Sequence, residues 1–212
     1  MVTFTEFRGP TSEDFANVRA LNKAFLKATS DLPRKKLQRL AASPFLLFSF
    51  REDDDEWWND VLNDDPQQDL MSTATVASNE IRKLQSAGLG FLWQLAGRNP
   101  YAARIVSAAT INWCEKLSAQ TLVILLDRVA SRGDLITSRL QDDEGTWSRL
   151  LDSGTSAERR VRYSSQLSAL QTMLTRTHSA QQVQLPAAAC RMSVPNRRVA
   201  DRANIRLRHE KV

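Results

Sequence analysis

Asn79–Leu117, NEIRKLQSAGLGFLWQLAGRNPYAARIVSAATINWCEKL, decides the fold. Ile81, Leu84, Leu89, Phe91, Leu92, Trp93 and Leu95 make the first half apolar on nearly every side. A helix with that pattern lies at the centre of a protein, surrounded by other helices. Gly88 and Gly90 each cost such a helix about 1 kcal/mol relative to alanine, so they mark close approach of a neighbouring helix. Asn99-Pro100 ends this helix and opens the next, because proline tolerates a first turn whose N–H has no helical partner. Beyond it, Ala102, Ile105, Ala109, Trp113 and Leu117 share one face, and Leu122, Leu125, Leu126 and Val129 carry the apolar pattern onward. Gly133 fits a C-terminal cap. The expectation is a hairpin of helices over about 78–97 and 100–132, with Trp93, Ile105, Trp113 and Leu125 largely buried.

Working outward, Thr11-Ser12-Glu13-Asp14 reads as a helix start: a hydroxyl caps free amides, and carboxylates oppose the positive end of the helix dipole. Phe15, Val18, Leu21, Phe25 and Leu26 follow at helical spacing, to about Thr29. Pro33 and Pro44 each suggest another short helix. Leu37 and Leu40 face inward from the first, and the apolar run PFLLFSF (44–50) is read as a second, buried one. REDDDEWWND (51–60) places carboxylates before Trp57 and Trp58, a further helix start, and Asp64-Asp65-Pro66 breaks that helix. Residues 134–156 read as short pieces. A last helix runs from Ala157 to about Arg176, with Tyr163, Leu167, Leu170 and Leu174 as its apolar stripe. The fold class expected is all-α: an irregular multi-helix bundle around a central helical hairpin, with a basic C-terminal extension. The helical domain is 1–177; 178–212 is a linker and the extension. Periods typical of helical solenoids are absent.

Composition narrows the function. The chain has 212 residues, 42% of them hydrophobic and 25% charged, enough for one sizeable core. Cys114 and Cys190 stand alone, without the spacing of a metal site or a disulfide framework, and fit a cytoplasmic protein with reduced thiols. No stretch reaches the roughly 18 uninterrupted apolar residues of a membrane span. The only histidines are His178 and His209, so the buried helices lack the paired ligands of a zinc or di-iron site, and no metal or cofactor is expected. Neither a GxSxG elbow nor a phosphate-cradling glycine loop occurs. Glu52–Glu56 reads as a solvated helix start, since acid–base chemistry needs carboxylates converging in a shielded cleft.

Two surfaces survive this elimination. Trp57 and Trp58 beside the acidic run have the make-up of protein-interface anchors. The net charge of +5 is concentrated C-terminally: 157–212 carries eleven basic and three acidic residues, leaving −3 for the remainder. Within it Arg198, Arg202 and Arg206 recur every fourth residue, widened by Arg197 and Arg208, a stripe that suits a phosphate backbone or an acidic protein. The first reading is therefore a non-enzymatic regulatory or adaptor protein acting by binding a partner protein. The alternatives are a nucleic-acid-binding regulator using the arginine-rich segment, and an enzyme whose site is built from Tyr101, Asn112 and Glu115 in the helical core. Homo-oligomer formation is left open.

Overall fold

The computed structural model describes residues 9–29, 31–63, 79–140 and 142–183. The chain divides into two units, Met1–His178 and Ser179–Val212, and the fold described is that of the first. The described residues are mostly helical: α1 Ser12–Thr29, α2 Arg34–Ala41, α3 Asp55–Asn63, α4 Asn79–Arg98, α5 Pro100–Ser107, α6 Ile111–Ala119, α7 Leu122–Ser131, α8 Glu144–Asp152 and α9 Arg159–Val183. Two short strands, β1 Phe48–Ser49 and β2 Thr137–Ser138, pair antiparallel, Phe48 opposite Ser138 and Ser49 opposite Thr137.

α4 is the hub, packed against α1, α5, α6 and α7, as an all-round apolar sequence requires. α1 begins with the hydroxyl cap expected of its first residues, which Asp14 closes into a box: Asp14 N–H donates to Thr11 Oγ1 (3.2 Å), and the Asp14 carboxylate accepts from Thr11 N–H (2.8 Å). Gly88 faces the Phe50 ring, which a β-carbon there would overlap; Gly90 has nothing within 4 Å of where its β-carbon would be. The close approach is thus one aromatic ring at Gly88 rather than a helix against both.

The long second arm of the hairpin does not exist as one helix. It is three helices, with turns at 108–110 and 120–121. Ala108 takes a left-handed φ of 51°, which stops α5. The Ser107 hydroxyl donates to Ala103 O (2.7 Å) and accepts from Ala109 N–H (3.2 Å), and Thr110 caps α6 by accepting from Trp113 N–H (3.0 Å). Hydroxyl side chains that satisfy nearby backbone groups compete with helix continuation, and so local chemistry overrides the apolar periodicity. The breaks turn Trp113 and Leu125 fully inward, while Trp93 and Ile105 end half-buried. Gly133 has φ of 91° just beyond α7, as its C-terminal cap position requires.

The second correction concerns 44–50, expected as a buried helix. The segment is bent and extended, ends in β1, and is still buried: Phe45, Leu46, Leu47, Phe48 and Phe50 are each at most 1% exposed. An extended chain points successive side chains to opposite sides, so a continuous apolar run can fill core on both. Phe25, Phe48 and Phe50 stack in sequence with centroids 5.2 and 5.4 Å apart.

Burying irregular backbone demands partners for its amides and carbonyls. On one side Asn22, 0% exposed, donates to Phe45 O (2.8 Å) and accepts from Leu47 N–H (3.1 Å). On the other Gln85 accepts from Leu135 N–H (3.1 Å) and donates to Gly133 O (3.3 Å). Between them Arg139 donates to Leu46 O (3.0 Å), Phe48 O (2.9 Å) and the Glu52 carboxylate (2.5 Å). Glu52 also accepts from Phe50 N–H (3.0 Å) and from the Ser49 hydroxyl. It is 3% exposed, and this corrects the reading of 52–56 as uniformly solvated. Arg51, with φ of 57°, makes the left-handed turn that folds Glu52 back onto its own strand.

Arg139→Met should therefore cost about 3–5 kcal/mol in urea unfolding, because it strands a buried carboxylate and two carbonyls. Adding Glu52→Gln to that variant should restore part of the loss. A cost below about 1 kcal/mol for the single change would show that water reaches the pair.

Candidate functional site

The residues nominated for an enzyme site are not in the core. Tyr101 is 56% exposed on α5, and Asn112 and Glu115 are exposed on α6, so the trio lies on the surface and not in the helical core. Among the described residues no cluster of three metal-ligating side chains occurs, and no helix is long and apolar enough to cross a membrane.

Cys114 is 0% exposed. Burial pushes its thiol up to about 12; a hydrogen bond with Ser107 and the charge of Arg104 pull the other way, and the charges of Glu52 and Glu115 reinforce the rise. A thiol held protonated in a sealed core is not a nucleophile at neutral pH.

The two tryptophans separate. Trp58 is 1% exposed; its indole N–H is shared between Phe50 O (3.2 Å) and Arg51 O (3.0 Å), and its ring stacks edge-on to Trp113 at 5.3 Å. It holds the turn after β1 and offers nothing to a partner. Trp57 is half-buried, edge-on to Trp58, with the Arg51 guanidinium 5.5 Å from its ring centre. Of the pair, only Trp57 keeps surface that a partner could reach. The arginines at 197, 198, 202, 206 and 208 lie outside the described residues.

The feature of α9 that the sequence left unread is its orientation. Of the stripe Tyr163, Leu167, Leu170 and Leu174, only Leu170 and Leu174 pack, half-buried, against the core, and the tighter seal is made by another side. That side is Gln166, Ala169 and Met173, at 1%, 2% and 5% exposure. Gln166 donates to Gly154 O (3.3 Å), Ser165 to Arg149 O (3.2 Å), and Arg176 pairs with Asp143 at 2.7 Å. Asp143 caps α8, and the backbone N–H and hydroxyl of Thr146, with Arg176 and Arg149 nearby, hold its carboxyl below the usual range. Because small and polar residues make the seal, the apolar stripe is rotated toward the edge: Tyr163 is 42% and Leu167 59% exposed, with Leu170 and Leu174 half-buried. Arg159 and Arg162 sit over the Tyr163 ring at 5.2 and 5.8 Å, placing guanidinium charge at the head of the stripe. The signal was present in sequence: Gln166-x-x-Ala169-x-x-x-Met173 is a second helical row beside the leucines, but it is less apolar, so periodicity alone chooses the wrong row. Val123 and Ile124 on α7, 75% and 46% exposed, form a second apolar spot without such a row.

Comparison of the chain with family models, with curated proteins and with solved structures returns no match.

Cys114 supplies a clean check of this packing. In a Cys190→Ser variant, a thiol reagent should leave the native protein unlabelled and modify it stoichiometrically in denaturant. Rapid labelling under native conditions would mean that the α5–α6 core opens readily.

Proposed function

We propose that this chain is a non-enzymatic regulatory or adaptor protein that works by binding another protein, with Tyr163, Leu167, Leu170 and Leu174 of α9 as the contact. The observation that carries the reading is the exposure of Tyr163 and Leu167, in a row that Leu170 and Leu174 continue half-buried against the core. A row of large apolar groups at helical spacing, left at the edge of a body that already has a closed core, is the kind of surface that marks interaction sites. Its 4–3–4 spacing suits an amphipathic helix laid alongside. The guanidinium groups of Arg159 and Arg162 beside Tyr163 favour a partner helix with acidic flanks, since complementary charge steers association and rejects wrong partners. The basic residues at 197, 198, 202, 206 and 208 belong to the same proposal, adding charge attraction for an acidic partner.

The test is affinity purification of the tagged full-length protein from its native cell, with and without nuclease, beside a Leu167→Glu variant and an Arg34→Gln surface control. The expected result is a nuclease-resistant protein partner, held by the wild type and the control, and recovered about tenfold less or worse with Leu167→Glu. Thermal melting of Leu167→Glu should stay within about 0.5 kcal/mol of the wild type, because the residue lies outside the core. Recovery that vanishes with nuclease would instead support the nucleic-acid reading, and recovery indifferent to Leu167 would remove α9 from the interface.

A further inference from the structure

A different side of α9 faces α8 across an open groove of about 490 Å³. Along the α9 wall Arg160, Ser164 and Ser168 follow one another at four-residue intervals, one ridge about 12 Å long at 1.5 Å per residue. Arg149 and Ser153 line the groove from α8 and the turn after it, and Val161 and Ala169 contribute its apolar part.

Three properties of this lining point to an anion. No carboxylate lines the groove, whereas two guanidinium groups do. The Arg160 side chain and the hydroxyls of Ser153, Ser164 and Ser168 make no hydrogen bond or ion pair among the described residues. Arg149 uses Nε on Gly145 O (3.3 Å) and one terminal nitrogen on Thr146 Oγ1 (3.4 Å), both long bonds, which leaves its other terminal nitrogen free. Unspent donors of both kinds, charged and hydroxyl, are what a tetrahedral oxyanion needs: guanidinium groups carry the charge-assisted bonds and hydroxyls fill the remaining oxygens.

We propose that this groove binds a phosphate monoester. Two guanidinium groups lining one groove suit a single dianion. A nucleic-acid backbone repeats its charge every few ångströms and is matched by a longer basic track with aromatic platforms, and no aromatic side chain lines this groove. The ester is taken from a small phosphorylated molecule or from a phosphorylated side chain on an extended peptide; the groove, open along its length, admits either. The site is independent of the apolar stripe, which uses other residues of α9.

The experiment is an amide NMR titration of the full-length protein with three probes: inorganic phosphate, free O-phosphoserine, and a short blocked alanine–glycine peptide with one central phosphoserine. The unphosphorylated peptide is the control. Saturable shifts confined to about 145–153 and 160–169 are expected for the phosphorylated probes, with none for the control. Arg160→Gln and Arg149→Gln should each weaken binding about tenfold or more, as loss of a charge-assisted bond to a dianion implies, while Arg34→Gln should not. Binding should also weaken as pH falls through about 6, where the phosphate takes up its second proton and drops to a monoanion. Comparable affinity for O-phosphoserine and the peptide assigns the site to small phosphate esters; a much tighter peptide assigns it to a phosphorylated protein. Shifts that never saturate, that scatter over the basic surface, or that survive Arg160→Gln overturn the proposal.

Discussion

The structure depends on satisfying buried backbone that belongs to neither a helix nor a full sheet. Residues 45–48 and 50 are buried, 47–49 pair with 137–139, and the paired strands are two residues each, far too short to occupy all the amides and carbonyls of this irregular backbone. An unpaired amide or carbonyl in a core costs about as much as a typical hydrogen bond contributes, or more. Five buried side chains meet much of that demand, Glu52 among them by accepting from Phe50 N–H. Asn22 projects from α1, Gln85 from α4 and Trp58 from α3, while Arg139 reaches across from the second segment itself to Leu46, Phe48 and Glu52. The helices thus do more than pack: three of them present one polar group each, aimed at a chain segment that could not otherwise be buried.

That arrangement explains what the amino-acid order disclosed and what it concealed. α1 and α4 were legible because each carries its own signals, a Thr11–Asp14 box in one and an all-round apolar run in the other. The path of 44–50 was not, because a continuous apolar run has no period, and the partners that choose extended chain over helix, Asn22 and Arg139, are 23 or more positions away. Glu52 was misjudged for the same reason: four carboxylates follow it in sequence, and only the distant Arg139 sets it apart. The break after α5 was local but quiet, carried by Ser107 and Thr110 within an otherwise helical pattern.

At the surface the relation reverses. The candidate residues were visible as types and hidden as neighbours. The arginines of 157–176 were counted as charge; what gives them meaning is that two cap a tyrosine at the head of an exposed apolar row and another opens a ridge of serines one turn apart. Trp57 and Trp58 made the opposite passage: adjacent in sequence and alike in chemistry, they are divided by helix rotation into one half-buried ring and one core ring.

The Glu52–Arg139 pair spans 87 positions, and the bond from Arg139 to Leu46 spans 93. The hub, by contrast, is assembled from α4 to α7, which are consecutive described elements with short turns between α4, α5, α6 and α7. Local helix pairings form early and cheaply, whereas joining remote segments must first overcome loop-closure entropy. The order of assembly follows. The α4–α7 cluster is expected to gather first, and the two irregular segments to lock last, when Arg139 arrives beside carbonyls that α1 and α3 already hold in place. Until that step, PFLLFSF stands as an unpaired apolar segment with strand-like composition, so the interval before locking is when a nascent chain is most exposed to aggregation.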